Sequence, residues 1–233
     1  MPPLVKICGL STEETLAAAL EAGAERVGLV FFPRSPRSVT LDRAAALAAQ
    51  ARGRAAVVAL VVDAEDAALD AVAAAVAPDM WQFHGRETPE RVAALRARLG
   101  RPVMKALGVS TAADLDVVPA FAVVADEILF DAKPPKGAAL PGGNGVAFDW
   151  QLLAALDLPV PFMLSGGLGP HNVGEALRVT RAPGVDVSSG VENAPGVKDP
   201  DLIAAFIRAA KIPAARIPAT KIPAARRGPP QKD

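Results

Sequence analysis

The feature that most constrains this chain is an alternation repeated eight times along it. Short β-branched or apolar runs bounded by turn residues give way to longer Ala/Leu-rich segments that carry charges at helical spacing. Such alternation is the signature of a parallel α/β fold. The runs predict strands at Leu4–Cys8, Arg26–Phe31, Ala56–Val62, Met80–Phe83, Val103–Leu107, Glu127–Asp131, Phe162–Ser165 and Val185–Ser188. The intervening segments predict helices at Thr12–Ala22, Leu41–Ala51, Ala64–Val76, Pro89–Leu99, Ala112–Val118, Asp149–Leu156, His171–Val179 and Pro200–Ala210. Ser11 or Thr12, Thr88 and Asp149 stand where N-caps belong, and Gly23 and Gly100 suit C-caps.

Eight strand–helix pairs in one chain of 233 residues predict a single (β/α)8 TIM barrel over residues 1–210. An open flavodoxin-like sheet is the alternative, and the dinucleotide fingerprint G-x-G-x-x-G is absent. Residues 211–233 break the pattern: KIPAAR occurs at Lys211–Arg216 and again at Lys221–Arg226, and the prolines preclude a continuous helix. That basic segment reads as a disordered appendage, with a docking segment as the other possibility. The connection from Ala132 to Val146 holds Pro134, Pro135, Pro141, Gly142, Gly143 and Gly145, which marks a mobile functional loop.

Composition bounds the partner. Hydrophobic residues make up 51% of the chain and 25 basic side chains balance 25 acidic ones, which argues against a disordered chain and against a nucleic-acid binder. A small molecule is the expected partner. Cys8 is the single cysteine, so an internal disulfide and a cysteine-clustered zinc site are excluded, in keeping with a reducing cytoplasm. No leader-like start is seen, and no apolar run approaches the about 18 residues a membrane span needs.

In a barrel of this kind the active site is built at the C-terminal ends of the strands. The groups there are Cys8, Arg37, Gln82 with His84, Asp131, the Ser165-Gly166-Gly167 run, and Asp186 with Ser188-Ser189-Gly190. The glycine turns after the last two strands would let backbone N–H groups approach a phosphate, aided by a short helix from Val191; otherwise they serve only as tight turns. Strand alternation puts Lys6 and Cys8 on one face, where Cys8 is either a buried small hydrophobe or a reactive thiol at the barrel mouth. A nearby cation such as Lys6 would then lower its pKa. Asp131 closes an apolar strand as either a helix cap or a general acid, and Pro134 and Pro135 behind it disfavour the cap. His84 reads as structural or substrate-positioning rather than metal-binding, and Arg37 as a solvated charge or a carboxylate ligand.

Taken in order, these residues resemble the phosphoribosylanthranilate isomerase family. The resemblance runs from Val5-Lys6-Ile7-Cys8-Gly9 through Phe32-Pro33-Arg34-Ser35-Pro36-Arg37, Gln82-Phe83-His84-Gly85, Asp131, Gly142-Gly143 and Ser165-Gly166-Gly167 to Asp186-Val187-Ser188-Ser189-Gly190-Val191-Glu192. It covers residues 4 to about 210. The resemblance implies a cofactor-free Amadori rearrangement of N-(5-phosphoribosyl)anthranilate in tryptophan biosynthesis, by a monomer or homodimer without a metal. By the same resemblance, Asp131 matches the general acid and Cys8 the general base, while Arg37 faces the anthranilate carboxylate. Gln82, His84 and Asp186 are expected to touch substrate, and Gly166, Gly167, Ser189 and Gly190 to grip the phosphate. Asn144, Val146 and Ala132 depart from the family pattern. The related isomerase of histidine biosynthesis, which has a carboxylate where Cys8 stands, and a non-catalytic sugar-phosphate sensor are the alternatives.

Overall fold

The computed structural model describes residues 2–133, 137, 142–143, 145, 147–154 and 156–212. The expectations placed on Pro134, Pro135, Pro141, Asn144, Val146 and the segment from 213 onward lie outside them.

Eight parallel strands close into a barrel in sequence order: β1 (Leu4–Cys8), β2 (Arg26–Phe31), β3 (Ala56–Val61), β4 (Met80–Phe83), β5 (Val103–Val109), β6 (Glu127–Ala132), β7 (Phe162–Leu164) and β8 (Gly184–Val187). β8 hydrogen-bonds back to β1 with Lys6 beside Asp186, so there is no open edge and the flavodoxin-like alternative is overturned. The fold is a (β/α)8 TIM barrel, with α1 (Glu13–Ala22), α2 (Leu41–Ala51), α3 (Asp66–Val76), α4 (Pro89–Leu99), α5 (Val118–Ala122), α6 (Val173–Thr180) and α7 (Pro200–Lys211) outside it.

Helix limits follow local chemistry. Thr12, Thr88 and Asp149 accept hydrogen bonds from Thr15 N, Arg91 N and Gln151 N, and the chain leaves α1 and α4 through Gly23 and Gly100 at φ +88° and +60°. An Ala in place of such a cap typically costs about 1 kcal/mol. α7 lays Ile203, Phe206, Ile207 and Ala210 on the barrel, and the Nζ of Lys211 ties its end to the carbonyl of Gly23 and the carboxylate of Glu25.

Three helix expectations need correction. The Ala112–Val118 segment is a 3-10 turn at Ala112–Leu115 followed by the short α5, because Pro119 has no N–H to carry one helix through. The Asp149–Leu156 segment gives only a 3-10 turn at Trp150–Leu153, with Pro159 and Pro161 close behind. No helix starts at Val191. Ser189–Val191 is a 3-10 turn that runs into a two-stranded antiparallel ribbon, β9 (Glu192–Ala194) and β10 (Val197–Lys198). Elsewhere β1, β2, β4, α2 and α4 have the expected ends, and the ends of the other elements differ by at most two residues.

Two layers of core hold the site in place. Outward strand residues such as Val5, Ile7, Val27 and Leu29 pack against the helix stripes, while Val58, Met80, Met104, Ala106, Leu129 and Met163 fill the barrel interior. Each large side chain fully buried there stabilises the fold by about 1.5–3 kcal/mol. Among the described residues, no helix is long and apolar enough to cross a membrane.

Candidate active site

A pocket of about 750 Å³, counted to its open mouth, lies over the C-terminal ends of the strands. Val30, Phe32, Leu60 and Val62 give it one apolar wall, and Cys8, Arg37, His84 and Asp131 place functional groups around it. The turns Ser165–Leu168 and Ser188–Gly190 complete the rim. Of the residues expected to meet substrate, only Gln82 does not line the pocket. It is fully buried, and its amide Nε2 lies 3.0 Å from His84 Nδ1.

Alternation along β1 turns Lys6 and Cys8 inward, as expected. Lys6 is fully buried and its Nζ donates to Asp186 Oδ1 at 2.9 Å. Burial works against the ammonium, but the Asp186 carboxylate, with Cys8 adding to it, outweighs burial and holds the Lys6 pKa above the ordinary lysine value. The expected lowering of the Cys8 pKa is not found. Burial pushes the thiol up, and the opposing pull of Lys6 does not make up the difference. Proximity to a cation was legible in the sequence; desolvation was not.

Asp131 is buried near the end of β6. Its Oδ1 accepts from the backbone N–H of Ala132 at 2.9 Å, and its Oδ2 lies 3.3 Å from His84 Nε2. The His84 ring stands between the amide of Gln82 at Nδ1 and the carboxyl of Asp131 at Nε2. Gln82, His84 and Asp131 thus form a chain from the barrel interior to the pocket. Gly142 arches over this end so closely that a Cβ there would come within 2.5 Å of Asp131 Oδ2. Among the described residues, no helix starts from Asp131.

Arg37 is not a solvated charge. Its side chain is 7% exposed, and Nε and Nη2 donate to the two oxygens of Glu192 at 2.7 and 2.9 Å. An arginine and a carboxylate joined in this fork are among the stronger protein ion pairs. Arginine, buried and fixed, still lines the pocket.

The glycine turns are built differently from expectation. Gly166 and Gly167 sit at φ +83° and +64°, and Asn172 holds their turn by accepting from Gly169 N–H and donating to the Gly167 carbonyl. Gly190 passes so near the next turn that a Cβ would stand 1.8 Å from the Leu168 carbonyl oxygen. No helix runs from Val191 to aim a dipole at these turns. The Nζ of Lys198 holds the strand end before the second turn, donating to the carbonyl and hydroxyl of Ser188 at 2.9 and 3.1 Å. Sequence reasoning missed Lys198, which lies outside both turns in a strand of two residues.

Among the described residues, no three His, Cys, Asp or Glu side chains are grouped to hold a metal ion.

Comparison with known proteins was made against this geometry. The family described as N-(5'-phosphoribosyl)anthranilate (PRA) isomerase matches residues 5–209. An N-(5'-phosphoribosyl)anthranilate isomerase of Rhodopseudomonas palustris (strain BisA53) is 64% identical over 211 residues, covering 91% of this chain and 97% of the relative. Among solved structures, phosphoribosyl anthranilate isomerase from Thermotoga maritima is 35% identical with a TM-score of 0.80, covering 90% of this chain and 98% of that one. A phosphoribosyl anthranilate isomerase in complex with reduced 1-(o-carboxyphenylamino)-1-deoxyribulose 5-phosphate is 34% identical with a TM-score of 0.77, at the same coverage.

Proposed function

The chain belongs to the N-(5'-phosphoribosyl)anthranilate isomerase family and is an isomerase of tryptophan biosynthesis, and from that premise we propose how its own residues carry the rearrangement. Asp131 donates a proton to the ribose ring oxygen. The C1–O bond breaks as the anilino nitrogen's electron pair moves in, which leaves an iminium at C1. The Cys8 thiolate then removes the proton from C2, and that electron pair forms the C1=C2 bond of an enaminol. Tautomerisation to the ketone completes the Amadori product. The substrate's own nitrogen is the electron sink, so the steps need no cofactor and no metal.

One observation carries this assignment: Cys8 from β1 and Asp131 from β6, three strands apart around the barrel, open into the same pocket. An acid and a base on different sides of one sugar chain are what ring opening followed by enolisation requires. Arg37 faces the aromatic carboxylate, and the apolar wall of Val30, Phe32, Leu60 and Val62 accepts the ring. His84 orients Asp131, with Gln82 behind it, and Asp186 keeps Lys6 paired beside Cys8. The enzyme works in the cytoplasm, where its one thiol stays reduced, as a monomer or a homodimer. The direct test generates phosphoribosylanthranilate in place from anthranilate and phosphoribosyl pyrophosphate with the transferase. Accelerated substrate consumption with formation of the carboxyphenylamino-deoxyribulose phosphate is the expected result, and an unchanged rate overturns the assignment.

The phosphate is assigned to the backbone N–H groups of Gly166, Gly167, Ser189 and Gly190. Gly190→Ala drives a methyl group into the Leu168 carbonyl and must displace the turn. Loss of hydrogen bonds to a charged group costs about 1.5–3 kcal/mol, so calorimetry is expected to show inorganic phosphate and the reduced product analogue binding roughly ten- to a hundredfold more weakly. Parental affinity in a variant that melts as a folded protein would move the phosphate site elsewhere.

A further inference from the structure

Behind the pocket, Arg37, Glu192 and Lys198 form a buried chain of three charges, with side chains 7%, 4% and 1% exposed. Glu192 and Lys198 face each other across the ribbon of β9 and β10. Glu192 takes both the Nε and the Nη2 of Arg37, and its Oε1 also accepts from Lys198 Nζ at 2.6 Å. The remaining contacts of that Nζ go to the carbonyl and hydroxyl of Ser188. Three acceptors around one nitrogen match the three donors of an ammonium. The Gly196 N–H donates to Glu192 Oε2 at 3.2 Å, and Gly196 packs against the Pro36 carbonyl next to Arg37, so the ribbon is seated on the loop that carries the arginine.

A carboxylate that clamps an arginine in this way also cancels its charge. Solvent does little to screen groups so buried, and an Arg37–Glu192 pair alone would offer a substrate anion almost no net attraction. With Lys198 added, two cations share one anion and one net positive charge remains. We propose that Lys198 is a positioning residue for substrate selection: by neutralising Glu192 it lets that carboxylate fix Arg37 while Arg37 keeps an attractive charge toward the carboxylate on the substrate's aromatic ring. This rests on the assignment of Arg37 to that carboxylate given above. It explains why a lysine is buried under the second glycine turn with its charge turned to Glu192, and why Glu192, itself outside the pocket of catalysis, has both oxygens committed.

The test compares two ligands: the reduced carboxyphenylamino-deoxyribulose 5-phosphate analogue and its phenylamino counterpart, which lacks only the carboxylate. Calorimetric Kd values are taken for the parent, Lys198→Met, Arg37→Met and the double variant Glu192→Gln with Lys198→Met. Lys198→Met is expected to weaken the carboxylated ligand by about tenfold or more, the scale of losing one partner of a buried charge pair, and to leave the other ligand within about twofold. The double variant removes the anion together with its counter-charge and is expected to restore the preference for the carboxylated ligand. Equal weakening of both ligands by Lys198→Met, or no weakening, overturns the proposal. Arg37→Met separates the two levels: if it abolishes the preference while Lys198→Met does not, Arg37 stands and the role of Lys198 falls. If Arg37→Met keeps the preference, the assignment of Arg37 falls first. Should Lys198→Met not fold, the double variant decides alone, since a lost preference there makes Glu192 a mechanical clamp and overturns the charge argument.

Discussion

Asp131→Asn and Cys8→Ala are each expected to lower kcat by about 10²–10⁴-fold, the usual cost of removing a positioned acid or base, while the reduced product analogue binds nearly as before. Asparagine keeps the shape of Asp131 and its contact with the Ala132 N–H, but it has no acidic proton for the ring oxygen. Alanine removes the only thiol in the chain. Both losses fall on the chemical step, so kcat and kcat/KM should drop together. The Cys8 pKa is raised by burial, with Lys6 opposing, and the sign of the pH dependence follows. A thiol that ionises later than usual makes the thiolate scarcer at neutral pH and a stronger base once formed. In the free enzyme, inactivation by iodoacetamide should therefore speed up with a midpoint above that of an ordinary free thiol. The product analogue should protect against it. A midpoint below the free-thiol value would overturn the dominance of burial over Lys6, and a Cys8→Ala enzyme with near-parental kcat returns Cys8 to a packing role and moves the base to another strand-end group.

What the sequence reveals of this site divides along one physical line: local chemistry is legible and long-range closure is not. Period-two alternation along Leu4–Cys8 suffices to put Lys6 and Cys8 on one face, because a strand offers only two. The cap residues Thr12, Thr88 and Asp149, and the glycines after α1 and α4, act within four residues of themselves and so announce their helix ends. The strand-end rule then picks out Cys8, His84, Asp131 and the glycine turns without any knowledge of contacts. By contrast, Lys6 meets Asp186 only when β8 returns to β1, 180 positions later in the chain. The Arg37–Glu192 fork spans 155 positions, and Lys198 finds Glu192 only because the ribbon folds back after Gly196. Nothing local distinguishes Lys198 from a solvated surface lysine. Helix expectations around Pro119, and ahead of Pro159 and Pro161, fail for the opposite reason. Apolar spacing there favours a helix, and the prolines, which are local and legible, override it.

Lys6→Met is expected to be among the most destabilising single changes, although methionine fits the space of the lysine stem. Lys6 is fully buried and its ammonium is paired with Asp186, whose side chain is 5% exposed. Intact, such a pair need not add stability over an apolar substitute, because desolvating both charges offsets their attraction. Removing one partner is different: the remaining carboxylate is left buried without a counter-charge, which typically costs about 3–5 kcal/mol. For a barrel of this size each kcal/mol lowers Tm by about 2–4 °C, so the variant should melt roughly 6–20 °C below the parent. The double variant Lys6→Met with Asp186→Leu, which removes both charges, should recover much of that loss, and calorimetry on the three proteins gives the comparison. The parent also carries a pH signature. The folded pKa of Lys6 is raised because Asp186 outweighs the cost of burial, so the stabilisation is complete below the ordinary lysine value of about 10.4 and is lost as pH rises through the folded pKa. Parent and Lys6→Met should therefore converge in Tm on the alkaline side, where the parental lysine loses its charge and Asp186 its partner. A gap in Tm that stays constant through that range would assign the loss to packing around β1 rather than to the ion pair. A double variant as unstable as the single one would do the same.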